Sequence, residues 1–187
     1  VISISCAAPA ARAQALPAGV ERVTAVEGIT EYRLRSNGMN ILLSPNHAAP
    51  VITFEVVYHV GSRNEAVGYT GSTHMLEHML FKGTTRRAGR EISATVQAHG
   101  GYINAYTTFD RTVYYIDLPS EHTAVAIDLL ADAVLNSTLP ADETAKEKDV
   151  ILREIAMTKD DPDNRLWDAL FSTATRVVSE TLPGAHV

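Results

Sequence analysis

Cysteine is nearly absent from this chain, whose 187 residues include only Cys6. A single thiol excludes both an intramolecular disulfide framework and a zinc site built from thiolates. The 16 Lys and Arg residues are outnumbered by 22 Asp and Glu residues and form no cluster, so the electrostatic footprint of a nucleic-acid-binding protein is missing. No apolar run is long enough to span a membrane.

Apolar and charged residues are present in the proportions of a globular protein, at 45% and 20% of the chain. A chain of this length and composition can bury a sizeable core. We therefore expect one or at most two globular units.

The N-terminal segment, residues 1–15 (VISISCAAPAARAQA), is small, apolar and rich in alanine. Residues 11–13 and 13–15 both fit the A-x-A pattern of a secretory cleavage site, which predicts the remnant of a signal peptide and a secreted or periplasmic bacterial protein. The alternative is a disordered tail. We expect no lipid anchor at Cys6, because Ser3-Ile4-Ser5 before it matches a lipidation signal poorly.

Hydrophobic periodicity predicts interspersed strands and helices. Strands are expected in a hairpin that turns at Asn37-Gly38 and in three further segments: 50–60 (well buried), 102–107 and 112–118. Helices are expected over 72–81 (capped by Ser72 or Thr73), 90–98, 120–135, 142–158 and 165–175. Because no regular βαβ alternation is present, we predict an α+β fold, a mixed, largely antiparallel sheet packed against helices.

The first predicted helix carries His74, Glu77 and His78 on an apolar segment. Residues i and i+4 of a helix share a face, so both imidazoles can reach one metal ion, with the glutamate beside them. A catalytic zinc takes three protein ligands and leaves one position for water, whose proton a neighbouring carboxylate can accept. The alternative is an amphipathic helix with ordinary histidines and a solvated glutamate.

A third ligand is predicted on the helix over 142–158. Glu147 and Glu154 are one heptad apart and fall on the same apolar stripe. Burying a carboxylate is costly unless it is paired or binds a metal. The pattern therefore indicates one ligand and one group that orients a ligand, whereas an exposed stripe edge is the alternative.

Together these segments resemble the pitrilysin and insulinase family of zinc peptidases, which includes the mitochondrial processing peptidase and bacterial relatives. Residues 74–78 (HMLEH) match the inverted zinc motif H-x-x-E-H, and residues 147–154 (EKDVILRE) resemble the family's downstream glutamate segment. Residues 100–107 (GGYINAYT) are similar to the family's G-G-x-x-N-A-x-T strand. The resemblance covers roughly residues 43–170 and implies the fold of that family's metallohydrolase domain.

The resemblance implies a role for each polar group of the site. His74, His78 and Glu154 would ligate one zinc ion per chain, and Glu77 would be the general base. Glu147 would support the site from behind the ligands. The implied activity is that of an endopeptidase that hydrolyses extended or unfolded peptides.

The same resemblance places Asn104 and Ala105 at a strand edge to which a peptide substrate adds by main-chain hydrogen bonds. The alternative is a well-packed strand that ends in a polar residue. Family members have a second, similar half that contributes to substrate binding. We therefore expect residues 16–187 to be a zinc-binding peptidase domain truncated at its C-terminus, with the second half missing or supplied as a partner subunit.

Two other classes of function are compatible with this fold. A non-catalytic member could act as a binding or assembly subunit, but relatives of that kind usually lack part of the metal motif, which is complete here. A closed structural zinc site has no need of a base, so Glu77 disfavours it.

Overall fold

The structure is a computed structural model that describes the backbone of residues 15–181 and the side chains of residues 15–174. The predicted signal-peptide remnant, apart from Ala15, and the last six residues lie outside the described residues, and so does Cys6. The chain divides into two units at residues 49 and 50.

In its described residues, 15–49, the first unit is a three-stranded antiparallel sheet in the order β1-β2-β3. Its strands are β1 (Val20–Val26), β2 (Ile29–Leu34) and β3 (Asn40–Leu43). The hairpin at Asn37-Gly38 is confirmed, and Gly38 has the positive φ (75°) that such a turn favours. Strand β1 has no counterpart in the sequence-based prediction.

Over residues 50–181, the second unit combines a three-stranded antiparallel sheet with five α-helices. The sheet order is β4-β6-β5, and these strands are β4 (Val51–Tyr58), β5 (Tyr102–Thr107) and β6 (Thr112–Pro119). The helices are α1 (Ser72–Met79), α2 (Gly89–Ala98), α3 (Thr123–Asn136), α4 (Ala141–Asp160) and α5 (Pro162–Thr181). The α+β class with antiparallel sheets is confirmed.

The core of the second unit lies on one face of β6. Tyr114, Ile116 and Leu118 alternate along this central strand and are buried. They pack with apolar residues of α2 and α3 and with the residue that follows α1: Val96, Ala126, Leu129, Leu130 and Leu80. Burying apolar area of this kind is the main favourable term in folding. The core therefore holds the end of α1 against the sheet.

One burial prediction is wrong. The β-branched run over residues 50–60 forms β4, but β4 is an edge strand whose residues alternate between exposed and half-buried. Val51 and Val57 expose 64% and 44% of their surface. The composition of β4 suits either a buried strand or an edge strand. Composition does not set the position of a strand in the sheet, and at the edge of this sheet β4 stays partly exposed.

Among residues 15–181, no helix combines the length and the apolar character that crossing a lipid bilayer requires.

Candidate metal and catalytic centre

Helix α1 presents both histidines of the motif to one point. The His74 Nε2 and His78 Nε2 atoms are 3.2 Å apart, as expected for side chains one turn apart on the same face. Both residues are partly buried, and their rings meet edge to face. With Glu77 they form a cluster that could hold a metal ion, and the candidate ligand atoms of this cluster all lie within 4.8 Å of one another.

Helix α4 brings Glu154 to the same point. Its Oε2 atom is 3.5 Å from His74 Nε2 and 3.5 Å from His78 Nε2. In a tetrahedral zinc site with bonds of about 2.0–2.1 Å, neighbouring ligand atoms are about 3.3 Å apart. The triangle formed by these three atoms therefore has the size that a zinc ion requires, and the donor set of two imidazoles and one carboxylate is one that zinc accepts.

Glu147 lies behind this triangle and is buried. Its Oε2 atom is 2.9 Å from His78 Nδ1, so that nitrogen donates its proton to the carboxylate and Nε2 keeps its lone pair. Lys82 Nζ contacts the other oxygen at 2.6 Å. Burial alone would raise the pKa of Glu147, but the hydrogen bonds from Lys82 and His78 outweigh it, so the pKa is lowered.

The apolar stripe that carries the two glutamates is only partly buried. Glu147 and Ile151 are buried, whereas the Glu154 side chain exposes 44% of its surface and Ile155 is also exposed. The structure thus separates the two carboxylates that periodicity left equivalent. Glu154 reaches both histidines, and Glu147 reaches only the outer nitrogen of one.

We expect Glu147→Ala to weaken zinc binding by about 10- to 100-fold, as the loss of partners that orient metal ligands typically does. Without this acceptor, His78 loses the contact that fixes its proton on Nδ1. Competition with a chromophoric chelator measures the affinity. Glu143→Ala is the control, since Glu143 lies on the same helix in a surface pair with Lys146. Equal affinities for the two variants would contradict the supporting role.

Glu77 faces an open cleft of about 440 Å³. His74 and Thr107 line the same cleft, and the Thr107 hydroxyl donates a hydrogen bond to Glu77 Oε2. The carboxylate is thus held on the cleft side of the metal cluster. A group in this position can exchange a proton with a molecule bound in the cleft.

Asn104 and Ala105 lie on β5, an edge strand that pairs only with β6 in the described sheet. The cleft is lined by later residues of this strand, Tyr106 and Thr107, and by neither Asn104 nor Ala105. The Asn104 side chain donates to the Tyr102 hydroxyl at 2.6 Å and accepts from the Ala105 amide at 2.9 Å. A peptide that paired with the Ala105 amide would have to displace this contact.

Sequence analysis missed three groups near the site: Lys82 contacts Glu147, the Thr107 hydroxyl donates to Glu77, and Glu65 accepts the amide of the residue before His74. It assigned no role to Lys82 or Glu65 and included Thr107 only in a strand motif. Thr107 had a detectable signal in the N-A-x-T match. Lys82 and Glu65 had none, because neither falls on the periodic face of an element.

The remaining histidines lie apart from the cluster wherever they are described. The rings of His99 and His122 meet edge to face with centroids 4.6 Å apart. His186 lies outside the described residues.

Comparison with known families identifies one model that matches this chain, described as "Insulinase (Peptidase family M16)", over residues 40–184. A protein of Rickettsia felis named an uncharacterized zinc protease is 38% identical over 137 residues, which is 73% of this chain and 33% of that protein. A zinc protease of Bacillus subtilis, also named as uncharacterized, is 40% identical over 139 residues, or 74% and 34%. The chain therefore spans about a third of the length of these relatives.

Two solved structures share the fold. A protease from Helicobacter pylori superposes with a TM-score of 0.65 at 32% identity, covering 79% of this chain and 33% of that one. Pitrilysin superposes with a TM-score of 0.66 at 28% identity, covering 74% and 16%. Each of the two superpositions covers most of this chain.

Proposed function

Because this chain belongs to the insulinase family of peptidases, M16, we propose that it is the zinc-binding part of an endopeptidase that hydrolyses extended or unfolded peptides. The observation that carries the proposal is the triangle of His74 Nε2, His78 Nε2 and Glu154 Oε2, with sides of 3.2, 3.5 and 3.5 Å. Relatives named zinc proteases support the choice of metal.

The proposal assigns each task of peptide hydrolysis to a residue in or around the triangle. A zinc ion held by His74, His78 and Glu154 would supply a Lewis acid that polarises the scissile carbonyl and acidifies the attacking water. Glu77, held toward the cleft by Thr107, accepts the proton of that water and then delivers it to the leaving amine. Glu147 keeps the His78 ring in the tautomer that leaves Nε2 free.

The position of the edge strand β5 supports the proposal that the substrate is an extended peptide. It leads into the cleft through Tyr106 and Thr107, and one of its edges has no partner strand among the described residues. A peptide that adds there is bound through its main chain, which favours unfolded segments over folded ones. We further propose that a second half or a partner subunit completes the substrate site, since the relatives are about three times as long as the matched region.

Zinc analysis tests the metal site directly. We expect about one zinc per chain after dialysis, and its loss in His78→Ala, because the remaining two ligands do not make a three-ligand site. Elemental analysis of the purified protein gives the stoichiometry. His59→Ala is the control, since His59 is exposed and outside the cluster. A folded wild-type chain without zinc would overturn the proposal.

A further inference from the structure

The loop between β4 and α1 carries a carboxylate that caps the helix of the zinc motif. One oxygen of Glu65 accepts the Gly71 amide at 2.8 Å, and the other accepts the Thr73 amide at 2.8 Å and the Thr73 hydroxyl. The first amides of a helix have no intrahelical partners. Gly71, at the N-cap position, has no side chain that could satisfy them. Glu65, which lies six to eight residues earlier in the chain, accepts these amides instead.

This cap differs from the predicted one. The sequence placed a local cap at Ser72 or Thr73, yet Gly71 is the N-cap and no side-chain cap bond comes from it. Gly71 has a φ of 92°, in the left-handed region that favours glycine. The loop carboxylate also adds negative charge at the positive end of the helix dipole, which is favourable.

The other side of Glu65 is joined to the turn between β5 and β6. Just before Glu65, the Ser62 amide donates to the Thr108 carbonyl at 3.0 Å and the Arg63 amide donates to the Phe109 carbonyl at 2.9 Å. The backbones approach so closely that a Cβ on Gly61 would lie 2.2 Å from the Thr108 oxygen. Glu65 therefore connects α1 to the end of β5, the strand that carries Thr107.

Although Glu65 lines the cleft, its carboxylate is hydrogen-bonded to the N-cap and to the first turn of α1. Burial would raise the pKa of Glu65, but the hydrogen bonds from Thr73 and from the Gly71 amide outweigh it and lower the pKa. The group is thus ionised at neutral pH, and its charge is used to hold the helix.

We propose that Glu65 is a positioning residue for the metal site: it fixes the first turn of α1, and with it His74, opposite His78 and Glu154. The inference rests on the zinc site of the proposed function. His74 lies in the first turn, next to Thr73, whereas His78 lies in the last turn and is held by Glu147. Loss of the cap should therefore displace one histidine and leave the other in place.

Zinc affinity is the first readout. We expect Glu65→Ala to weaken Zn²⁺ binding about tenfold, the lower end of the range for groups that orient metal ligands. Glu65→Gln should weaken it less, because the carboxamide can still accept through one oxygen. The matched control is Glu91→Ala. Glu91 caps α2 by accepting the Ala88 amide at 3.4 Å, so this variant loses a helix cap away from the metal cluster and should keep wild-type affinity.

Hydrogen exchange in the metal-free chain is the second readout, and it needs neither zinc nor activity. In both Glu65 variants the amides of residues 71–75 should exchange faster, while those of 76–79 and of α2 should not change. The Glu91 control should show the reverse, with faster exchange only at the start of α2. If Glu65→Ala fails to fold, the same two measurements on Glu65→Gln decide.

The outcomes separate this inference from the proposed function. Wild-type affinity for zinc in the Glu65 variants, with unchanged exchange over residues 71–75, would overturn the inference and leave the zinc site standing. If Zn²⁺ affinity falls equally in the Glu65 and Glu91 variants, the loss reflects a general loss of stability, and the inference is overturned. A wild-type chain that binds no Zn²⁺ would overturn both.

Discussion

Glu77→Gln is expected to lower peptide hydrolysis by about 10²- to 10⁴-fold, the range that positioned general acid–base groups contribute. The carboxamide has nearly the same shape and can still accept the hydrogen bond from Thr107, but it cannot take a proton from water. Zinc content should stay at the wild-type level, because Glu77 is not one of the three groups that form the triangle. Initial rates on an unstructured peptide, with zinc content measured in parallel, check the prediction.

The assay should use the longest natural polypeptide that carries this sequence, since the relatives are longer than the matched region. Glu55→Gln, an exposed change on β4, is a charge-matched control and should keep full activity. Hydrolysis that survives in Glu77→Gln with zinc in place would exclude Glu77 as the base. Loss of zinc together with activity would instead assign Glu77 to metal binding.

Asp132→Asn should lower the free energy of unfolding by about 3 kcal/mol, the lower end of the range for breaking a buried ion pair. Asp132 is buried in α3 and accepts hydrogen bonds from Arg87 at 2.6 Å, Thr84 at 2.8 Å and Asn136 at 2.8 Å. Among the described residues, the change leaves the half-buried Arg87 with one acidic partner, Asp128. Urea unfolding at pH 7 measures the difference.

Asp128→Asn is the matched control, because Asp128 pairs with the same arginine from an exposed position. Its loss should cost less than about 1 kcal/mol, as for other exposed pairs. Equal effects of the two changes would contradict a special role for the buried carboxylate.

The stabilisation by Asp132 should also depend on pH. Burial would raise the pKa of Asp132, but the hydrogen bonds from Asn136, Thr84 and Arg87 outweigh it, so the pKa in the folded state is lowered. The stabilisation is therefore complete above the ordinary carboxyl pKa, about 4, and is lost as the pH falls through the folded-state value. The stability difference between wild type and Asp132→Asn should shrink over that acidic range.

Local patterns located most elements of the fold. The strands over residues 102–107 and 112–118 are confirmed to within one residue, because alternating apolar residues suit a pleated strand wherever it lies. The helix predicted over 120–135 begins at Thr123, after a short 3-10 turn. Strand β1 was missed, because its residues are mostly exposed and carry little apolar alternation.

Some properties of these elements depend on neighbours that are distant in sequence. The apolar run of β4 could equally have been a central strand, and the pairing of both β4 and β5 with β6 made it an edge. The capping of α1 depends on a loop that folds back through Glu65, so the local candidates Ser72 and Thr73 were the wrong choice.

The sequence by itself determined which polar side chains of α1 lie together. The spacing of His74, Glu77 and His78 on one helix places two imidazoles and a carboxylate together through helical geometry alone, without any tertiary contact. The match of residues 40–184 to the M16 family agrees with that pattern.

The family resemblance had already assigned Glu154 as a ligand and Glu147 as its support, but only the tertiary structure decided how far each carboxylate lies from the histidines of that helix. Periodicity made Glu147 and Glu154 equivalent, since both lie on one stripe of α4. The packing of α1 against α4 brings Glu154 within 3.5 Å of both Nε2 atoms and leaves Glu147 against His78 Nδ1. The physical reason is that a helical period fixes only the face on which a side chain lies, whereas the distance between two side chains on different helices is set by how the helices pack.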